Sequence, residues 1–227
     1  MTEAPFFKFP HTPHLAWLSS HSPRQDKVLS PPEVRELLSA EVLVEEKVDG
    51  ANLGISVDPS GGLRVQNRGS LLGTRAPPQF QPLWSWLEAR REPLLRALGS
   101  HLTLFGEWCF AVHSVHYDAL PDWFLAFDVY DRSAGRFWSA ARRDALLSSL
   151  GISAVPALAR GHFSLEEIQR MLGPSRLTSA PMEGLYVRRD EGGFLTTRAK
   201  LVRAEFVQAI EEHWSSRPLQ RNVLRPR

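Results

Sequence analysis

The sequence predicts an α+β fold built from antiparallel sheets. Apolar stretches pair into hairpins around turns rich in Asp and Gly, namely 53–57 with 63–67 and 185–189 with 194–202. Strands therefore do not alternate one-for-one with helices, which argues against a doubly wound parallel sheet. The chain also contains neither a P-loop nor a Gly-x-Gly-x-x-Gly pattern. A nucleotide, if one binds, must be held by another device.

Each remaining element has its own local signal. Ser30 and Ser164 each precede a glutamate by three residues, the capping-box pattern that starts a helix, and Gly151 is placed to end one. Apolar side chains three and four residues apart predict a single helix over 80–98. The predicted helices cover 31–40, 80–98, 140–150, a stretch after 164, and 204–214, and further strands cover 42–47, 102–108 and 124–130.

Composition narrows the class of protein. The chain has 227 residues, of which 43% are hydrophobic and 10% aromatic, so it can bury a sizeable core and is not disordered. No apolar run approaches the length of a membrane span, and the first residues lack the pattern of a signal peptide. The single cysteine, Cys109, excludes an internal disulfide. We therefore expect a cytoplasmic protein that contacts no membrane.

Charge is balanced overall but uneven along the chain. The net charge of +2 does not by itself argue for nucleic-acid binding. Basic residues outnumber acidic ones toward the C-terminus, where they are Arg198, Lys200, Arg203, Arg217, Arg221, Arg225 and Arg227. We divide the chain into one domain, 1–215, and a short basic tail, 216–227. The tail either contacts phosphates or forms a solvated surface.

The segment Glu45-Glu46-Lys47-Val48-Asp49-Gly50-Ala51-Asn52 contains the sharpest chemical feature of the sequence. Lys47 ends an apolar strand, and the glycine that follows Asp49 permits a tight turn and close approach of a ligand. Desolvation and nearby cations would lower the pKa of such a lysine, and its neutral amine is a nucleophile. The alternative is a surface lysine paired with Glu45 or Glu46.

Further motifs follow this lysine in a fixed order. They are Asn67-Arg68-Gly69, Phe105-Gly106-Glu107-Trp108, Phe127-Asp128-Val129-Tyr130, Glu183-Gly184-Leu185-Tyr186-Val187 and Arg198-Ala199-Lys200. Together with Lys47-Val48-Asp49-Gly50 this series resembles the covalent nucleotidyltransferases, which are the polynucleotide ligases and mRNA capping enzymes. More narrowly it is similar to the RNA ligase 2-like branch and its bacterial relatives. The resemblance covers roughly residues 5–215.

The resemblance implies a fold and a reaction. The fold is the ligase-type nucleotidyltransferase fold, with antiparallel sheets, flanking helices and a central nucleotide cleft, so that 1–215 is an adenylyltransferase domain. The reaction is ATP-dependent RNA ligation with Mg²⁺ or Mn²⁺. Lys47 takes AMP from ATP, AMP passes to an RNA 5′-phosphate, and a 3′-hydroxyl displaces it. No module for nicotinamide mononucleotide precedes the motifs, which favours ATP over NAD.

The resemblance also assigns site residues. Lys47 and Lys200 are expected to be catalytic, and Glu183 is expected to hold the metal ion. The expected nucleotide-binding residues are Glu46, Asn52, Arg68, Glu107, Phe127 and Arg198. Arg198 departs from the lysine that the family usually has, so its role is less secure than that of Lys200. Taken singly, each residue also has an ordinary explanation, for example Phe127 as a core side chain.

The expected partners are RNA ends in a nicked duplex or a broken RNA, as in RNA repair, and a separate repair subunit in place of a C-terminal domain. Two alternatives remain. One is a DNA ligase or a guanylyltransferase, although the sequence after the last motif is too short for an OB-fold. The other is a catalytically inactive protein that binds RNA ends. A zinc site at His113 and His116 is conceivable, but no third ligand is evident in the sequence.

Overall fold

Two antiparallel sheets meet along a cleft, and together they confirm the predicted α+β class. The computed structural model describes residues 6–20, 27–73, 75–209 and 218–226. The first sheet has the order β7-β1-β8-β9, with β1 at Val42–Lys47, β7 at Ala157–Gly161, β8 at Gly184–Glu191 and β9 at Phe194–Val202. The second has the order β3-β2-β4-β5-β6, with β2 at Ala51–Val57, β3 at Leu63–Gln66, β4 at Leu102–Trp108, β5 at Phe124–Asp131 and β6 at Arg136–Phe137.

The helices flank the two sheets. They are α1 at Pro31–Leu38, α2 at Leu83–Glu88, α3 at Arg91–Leu98, α4 at Ala140–Leu150, α5 at Leu165–Arg170 and α6 at Ala204–Ala209, with a 3-10 turn at Pro78–Phe80. Both predicted capping boxes form, since the backbone N–H groups of Ser30 and Ser164 donate to the glutamates three residues on. Gly151 ends α4 with a left-handed backbone, φ 61° and ψ 30°. In the described ranges no helix is long and apolar enough to cross a membrane.

The predicted helix over 80–98 is wrong in one respect, because it divides into α2 and α3. Arg90 leaves the helical region with φ −121° and ψ 8°. Pro93 explains the break, because a proline within a continuous helix would lose a backbone hydrogen bond. In the first turn of α3 no such bond is needed. The predicted last helix begins as expected at Ala204, and its residues 210–214 lie outside the described residues.

Each sheet buries an apolar face against its own helices. In the first sheet Val44 and Val187 pack with Leu37 of α1 and Ile168 of α5. In the second sheet the strands pack against α2, α3 and α4 through Ile55, Leu83, Leu94, Leu104 and Leu147. The apolar spacing that predicted these elements is therefore the spacing that forms the two cores. The faces turned away from these helices are free to form the cleft.

The chain crosses from the first sheet to the second at the nucleophile motif. Lys47 is the last residue of β1, and Ala51 begins β2. Gly50 lies so close to β4 that an added Cβ would meet the Trp108 carbonyl oxygen at 2.7 Å and Glu107 Cγ at 3.1 Å. Only glycine fits this approach. The crossover therefore places the end of β1 beside the end of β4.

A network of buried charges joins the two sheets. Asp128 of β5 accepts from Arg188 of β8 at 3.1 Å and from Arg198 of β9 at 2.6 Å. Arg143 of α4 donates to Glu45 of β1 at 2.7 Å. Each of these side chains is at most 9% exposed. Buried pairs of this kind add little net stability over apolar packing, but losing one partner leaves the other charge desolvated. They fix how the sheets sit across the cleft.

We predict that Asp128→Ala destabilises the chain by about 3–5 kcal/mol, because two buried arginines then lose their carboxylate. Glu41→Ala is the matched control, since Glu41 pairs with Arg160 at 3.3 Å and both side chains are about half exposed. That substitution should cost less than about 1 kcal/mol. Urea unfolding measures both free energies. Equal losses in the two variants would show that the network does not join the sheets.

Candidate active site

The cleft between the sheets has a volume of about 300 Å³. Most of the predicted site residues line it: Glu46, Lys47, Asn52, Arg68, Glu107, Phe127 and Lys200. They come from different strands of both sheets and from the loop after β3. The N-terminal segment adds Phe9, Pro10 and Thr12, which the sequence did not assign to a site. This gathering of cations, carboxylates and an aromatic ring is typical of a ligand site.

The amine of Lys47 lies at the centre of the charged part of the cleft. Its Nζ donates to Glu183 Oε2 at 2.6 Å, and the two side chains are 28% and 12% exposed. The pairing of β1 with β8 causes this contact, because Lys47 lies opposite Gly184 in the ladder. A Cβ at Gly184 would collide with the Leu201 carbonyl oxygen of β9. The glycine thus lets β8 and β9 pack tightly beside the lysine.

Carboxylates surround Lys47 and set its protonation. Burial by itself lowers the pKa of Lys47, but the charges of Glu183, Glu107 and Asp49 outweigh it and raise this pKa above its usual value. The expectation of a lowered pKa is therefore wrong for the chain by itself. That expectation was based on the cations of the sequence motifs, whereas in the folded chain carboxylates lie around the Lys47 amine. At neutral pH the amine is protonated.

The two glutamates are themselves perturbed. Burial raises the pKa of Glu107 to about 8 and that of Glu183 to about 7, against the opposing pull of Lys47. Asp49 raises both further by charge repulsion. Glu107 lies opposite Asn52 in the β2–β4 ladder, so it faces the cleft from the second sheet. pKa values perturbed by burial together with a specific charged neighbour are typical of functional sites.

Asp49 organises the turn that follows the lysine. Its Oδ2 accepts from the backbone N–H groups of Ser114 and Val115 at 2.6 and 3.0 Å. Its own N–H donates to the Tyr117 hydroxyl at 2.8 Å. The sequence marked Asp49 as part of the motif but did not show that it binds a loop 65 positions away. Its contacts hold the Lys47 turn against the segment that joins β4 to β5.

Aromatic and apolar side chains form the other part of the cleft. The ring of Phe127 packs edge-on against Phe9 at 5.3 Å between centroids. The carbonyl of Phe127 accepts from Arg143 at 2.7 Å and from Arg188 at 3.2 Å, so the charge network also fixes this residue. Tyr186 of β8 and Val155 line the cleft as well. Tyr186 was not predicted as a site residue, although it lies within the motif that begins at Glu183-Gly184.

Some buried polar atoms of the cleft-lining residues have no hydrogen-bond partner within the described chain, among them Asn52 Oδ1 and Glu45 Oε2. The side-chain oxygen Oδ1 of Asn52 is buried and accepts no hydrogen bond. Burying such an acceptor is unfavourable unless a donor reaches it. A bound molecule with an N–H or O–H group would satisfy it.

Two predicted nucleotide-binding residues have protein partners. Arg198 pairs with Asp128, its guanidinium lies over the rings of Phe9 and Phe137, and it is not among the residues that line the cleft. Glu46 lines the cleft, but its carboxylate accepts from the Arg176 N–H at 2.8 Å and from the Ser175 hydroxyl. Burial raises the pKa of Glu46. Their roles in nucleotide binding stay predictions.

The basic tail and the histidine pair are also located in part. Arg221 and Arg225 are exposed, whereas Arg217 and Arg227 lie outside the described residues. Within the described part of the chain, no three His, Cys, Asp or Glu side chains are grouped as a metal site. His113 instead bonds through Nε2 to Gln79 at 2.9 Å. The zinc site considered for His113 and His116 therefore gains no third ligand.

Comparison with known proteins places the chain in a family. The sequence model of the RNA ligase family matches residues 40–202, a segment that contains every motif described above. The chain belongs to the RNA ligase family. This match covers well over half of the sequence and spans both sheets of the cleft. No curated protein matches the chain.

Solved structures of Naegleria gruberi RNA ligase share the fold. A lysine-to-alanine mutant with ATP and Mn is 20% identical, with a TM-score of 0.69, over 91% of this chain and 59% of that chain. The same ligase with PPi is 22% identical, with a TM-score of 0.65, over 79% and 54% of the two chains. This likeness confirms the predicted ligase-type nucleotidyltransferase fold. The chain spans a little over half the length of these ligases.

We predict that Glu183→Gln lowers the pKa of Lys47, because the substitution removes a carboxylate that raises it. Reaction of Lys47 with an amine-specific reagent, followed by mass spectrometry across a pH series, reads out the neutral amine. Half-maximal labelling should move to lower pH in the variant. Lys27, which pairs with Glu33 on the surface, serves as the internal reference and should not move. An unchanged Lys47 profile would contradict the electrostatic role of Glu183.

Proposed function

We propose that this chain is an ATP-dependent RNA ligase that becomes adenylylated on Lys47. One observation carries the proposal: the Lys47 amine projects into a cleft between two sheets, within 2.6 Å of Glu183 and beside Glu107 and Lys200. Family membership and the shared fold support it. In the proposed sequence of steps, AMP passes from ATP to Lys47, then to an RNA 5′-phosphate, and is released when a 3′-hydroxyl attacks.

The residues of the cleft suit ATP. Phe127 and Tyr186 offer aromatic surface to a base, and Asn52 Oδ1 lacks a donor that a nucleotide N–H or O–H would supply. Lys47, Arg68 and Lys200 supply positive charge for phosphates. The Naegleria gruberi ligase has been solved with ATP and Mn. We assign this cleft as the ATP site on the chemistry of its own side chains.

The acidic residues also suit a divalent cation. Glu183 and Glu107 are hard oxygen donors, and a bound cation would offset the cost of burying their carboxylates. Since the described residues form no cage of three acidic or histidine ligands, the cation would share its coordination with ATP phosphates and water, as Mg²⁺ commonly does. When bound, it would neutralise phosphate charge and promote departure of pyrophosphate.

The chain's own residues hold the Lys47 nucleophile in place before reaction. The ion pair with Glu183 holds the Lys47 amine in a fixed place before reaction. A bound divalent cation would offset the charge of the carboxylates and lower the pKa of Lys47, so that its neutral amine would become available. The amine nitrogen then forms a bond to the α-phosphorus as the bond to pyrophosphate breaks. Lys200 stabilises the negative charge on the phosphates during this step.

The RNA steps are assigned to the same cleft. A 5′-phosphate would approach AMP held on Lys47, with Arg68 at the exposed edge of the site to receive it. Broken RNA strands and nicked duplexes, as in RNA repair, are the proposed substrates. A second protein that helps bind RNA is part of the proposal. DNA or GTP in place of RNA or ATP would identify the alternative enzymes.

We predict that Lys47→Arg abolishes adenylylation, because arginine keeps the charge but offers no neutral amine. Intact-mass spectrometry after incubation with ATP and Mg²⁺ should show an AMP adduct on the wild-type chain and none on the variant. Lys27→Arg, a change of the same type at an exposed surface pair, should retain the adduct. A wild-type chain that gains no AMP but binds RNA ends would support the inactive binding protein instead.

A further inference from the structure

The C-terminal segment 218–226 forms a strap along the loop that joins β4 to β5. Between Gln220 and Arg225, the strap is joined to this loop by five backbone hydrogen bonds. They are Val112 N to Gln220 O at 2.9 Å, Asn222 N to Phe110 O at 3.0 Å, Val223 N to Tyr117 O at 2.8 Å, Leu120 N to Val223 O at 3.0 Å and Arg225 N to Leu120 O at 2.9 Å. This C-terminal strap is therefore an integral part of the fold beside the candidate active site.

The side chain of Asn222 makes buried hydrogen bonds between the strap and the loop. It is only 3% exposed, whereas its neighbours Arg221 and Val223 are exposed. Its side-chain amide donates to the carbonyls of Cys109 at 2.8 Å and Ala111 at 3.1 Å. Its side-chain oxygen accepts from the Tyr117 N–H at 2.8 Å. A buried amide that is satisfied on both ends fixes the two sides of the loop relative to each other.

Tyr117 carries this constraint to the nucleophile motif. The tyrosine is fully buried, and its hydroxyl accepts from the Asp49 N–H at 2.8 Å. The Asp49 carboxylate in turn accepts from two N–H groups of the same loop. Lys47 is two residues before Asp49. A continuous series of hydrogen bonds thus runs from Asn222 through Tyr117 to the turn that bears the reactive amine.

We propose that Asn222 and Tyr117 are positioning residues for Lys47. They line no part of the cleft, so they act by holding the Asp49 turn and thereby the direction of the amine. A small displacement of a nucleophile strongly lowers the reaction rate, because the reacting atoms must meet in line. This inference rests on the proposed function, since it concerns the step in which Lys47 receives AMP. It assigns the strap a role in that step that the motifs do not contain.

The test uses Tyr117→Phe and Asn222→Ala in the full chain. Tyr117→Phe keeps the ring and its packing and removes only the hydroxyl that Asp49 contacts. Single-turnover adenylylation is measured against ATP concentration. The maximum rate should fall roughly tenfold or more, while the ATP concentration at half-maximum stays unchanged. A merely structural defect would instead reduce the fraction of active chain and leave the rate of that fraction unchanged.

Two comparisons complete the test. Val223→Ala truncates an exposed side chain of the strap and keeps the backbone hydrogen bonds of this residue. The variant should therefore react at the wild-type rate. The double variant should be little slower than the slower single variant, because both residues act along one series of contacts. Wild-type rates in both single variants would overturn the inference. Absence of the adduct in the wild-type chain would instead overturn the proposed function.

Discussion

The placement of one sheet relative to the other depends on two buried carboxylates, those of Asp128 and Glu45. Each carboxylate is fully buried and meets an arginine from another element, so the two sheets cannot shift without separating charges in an apolar interior. The same arginines bond the carbonyl of Phe127, which lines the cleft. The network therefore sets the width of the cleft and one of its walls together. The apolar cores stabilise each sheet, whereas these charges relate one sheet to the other.

A second cluster of charged side chains surrounds the Lys47 amine. Glu107, Glu183 and Asp49 surround one amine, and burial, with repulsion from Asp49 added, raises the pKa values of both glutamates. Unlike the buried network of Asp128 and Glu45, this cluster includes side chains that are partly open to solvent. Its excess of acid suits an incoming cation, and the nearby basic side chains suit phosphates. A substrate and a metal ion would thus complete the charge balance that the chain leaves open.

The local features of the fold were predictable because short-range rules govern them. The serine caps at 30 and 164 and the Gly151 helix end depend only on neighbouring residues, and all formed as expected. The apolar periodicity over 80–98 could not reveal the break at Arg90. Periodicity records which side of a helix is buried, while Pro93 decides where the helix can continue.

The site was predictable only where a motif marks it. The motifs indicated Lys47, Glu107 and Glu183, which strand pairing then brings together. The partners of Arg198 and Asp49 lie 70 and 65 positions away, so sequence spacing gives no signal for them. Asn222 has no motif at all. Its signal would be a lone amide in a basic tail, which is an ordinary surface residue until the fold buries it.

Locating AMP on the chain would test the central claim most directly. The wild-type protein is incubated with ATP and Mg²⁺, digested and analysed by tandem mass spectrometry, which assigns the modified residue by its fragments. The cleft geometry predicts AMP on the Lys47 amine and on no other lysine. AMP found at Lys200 or on a surface lysine, with Lys47 unmodified, would contradict the account.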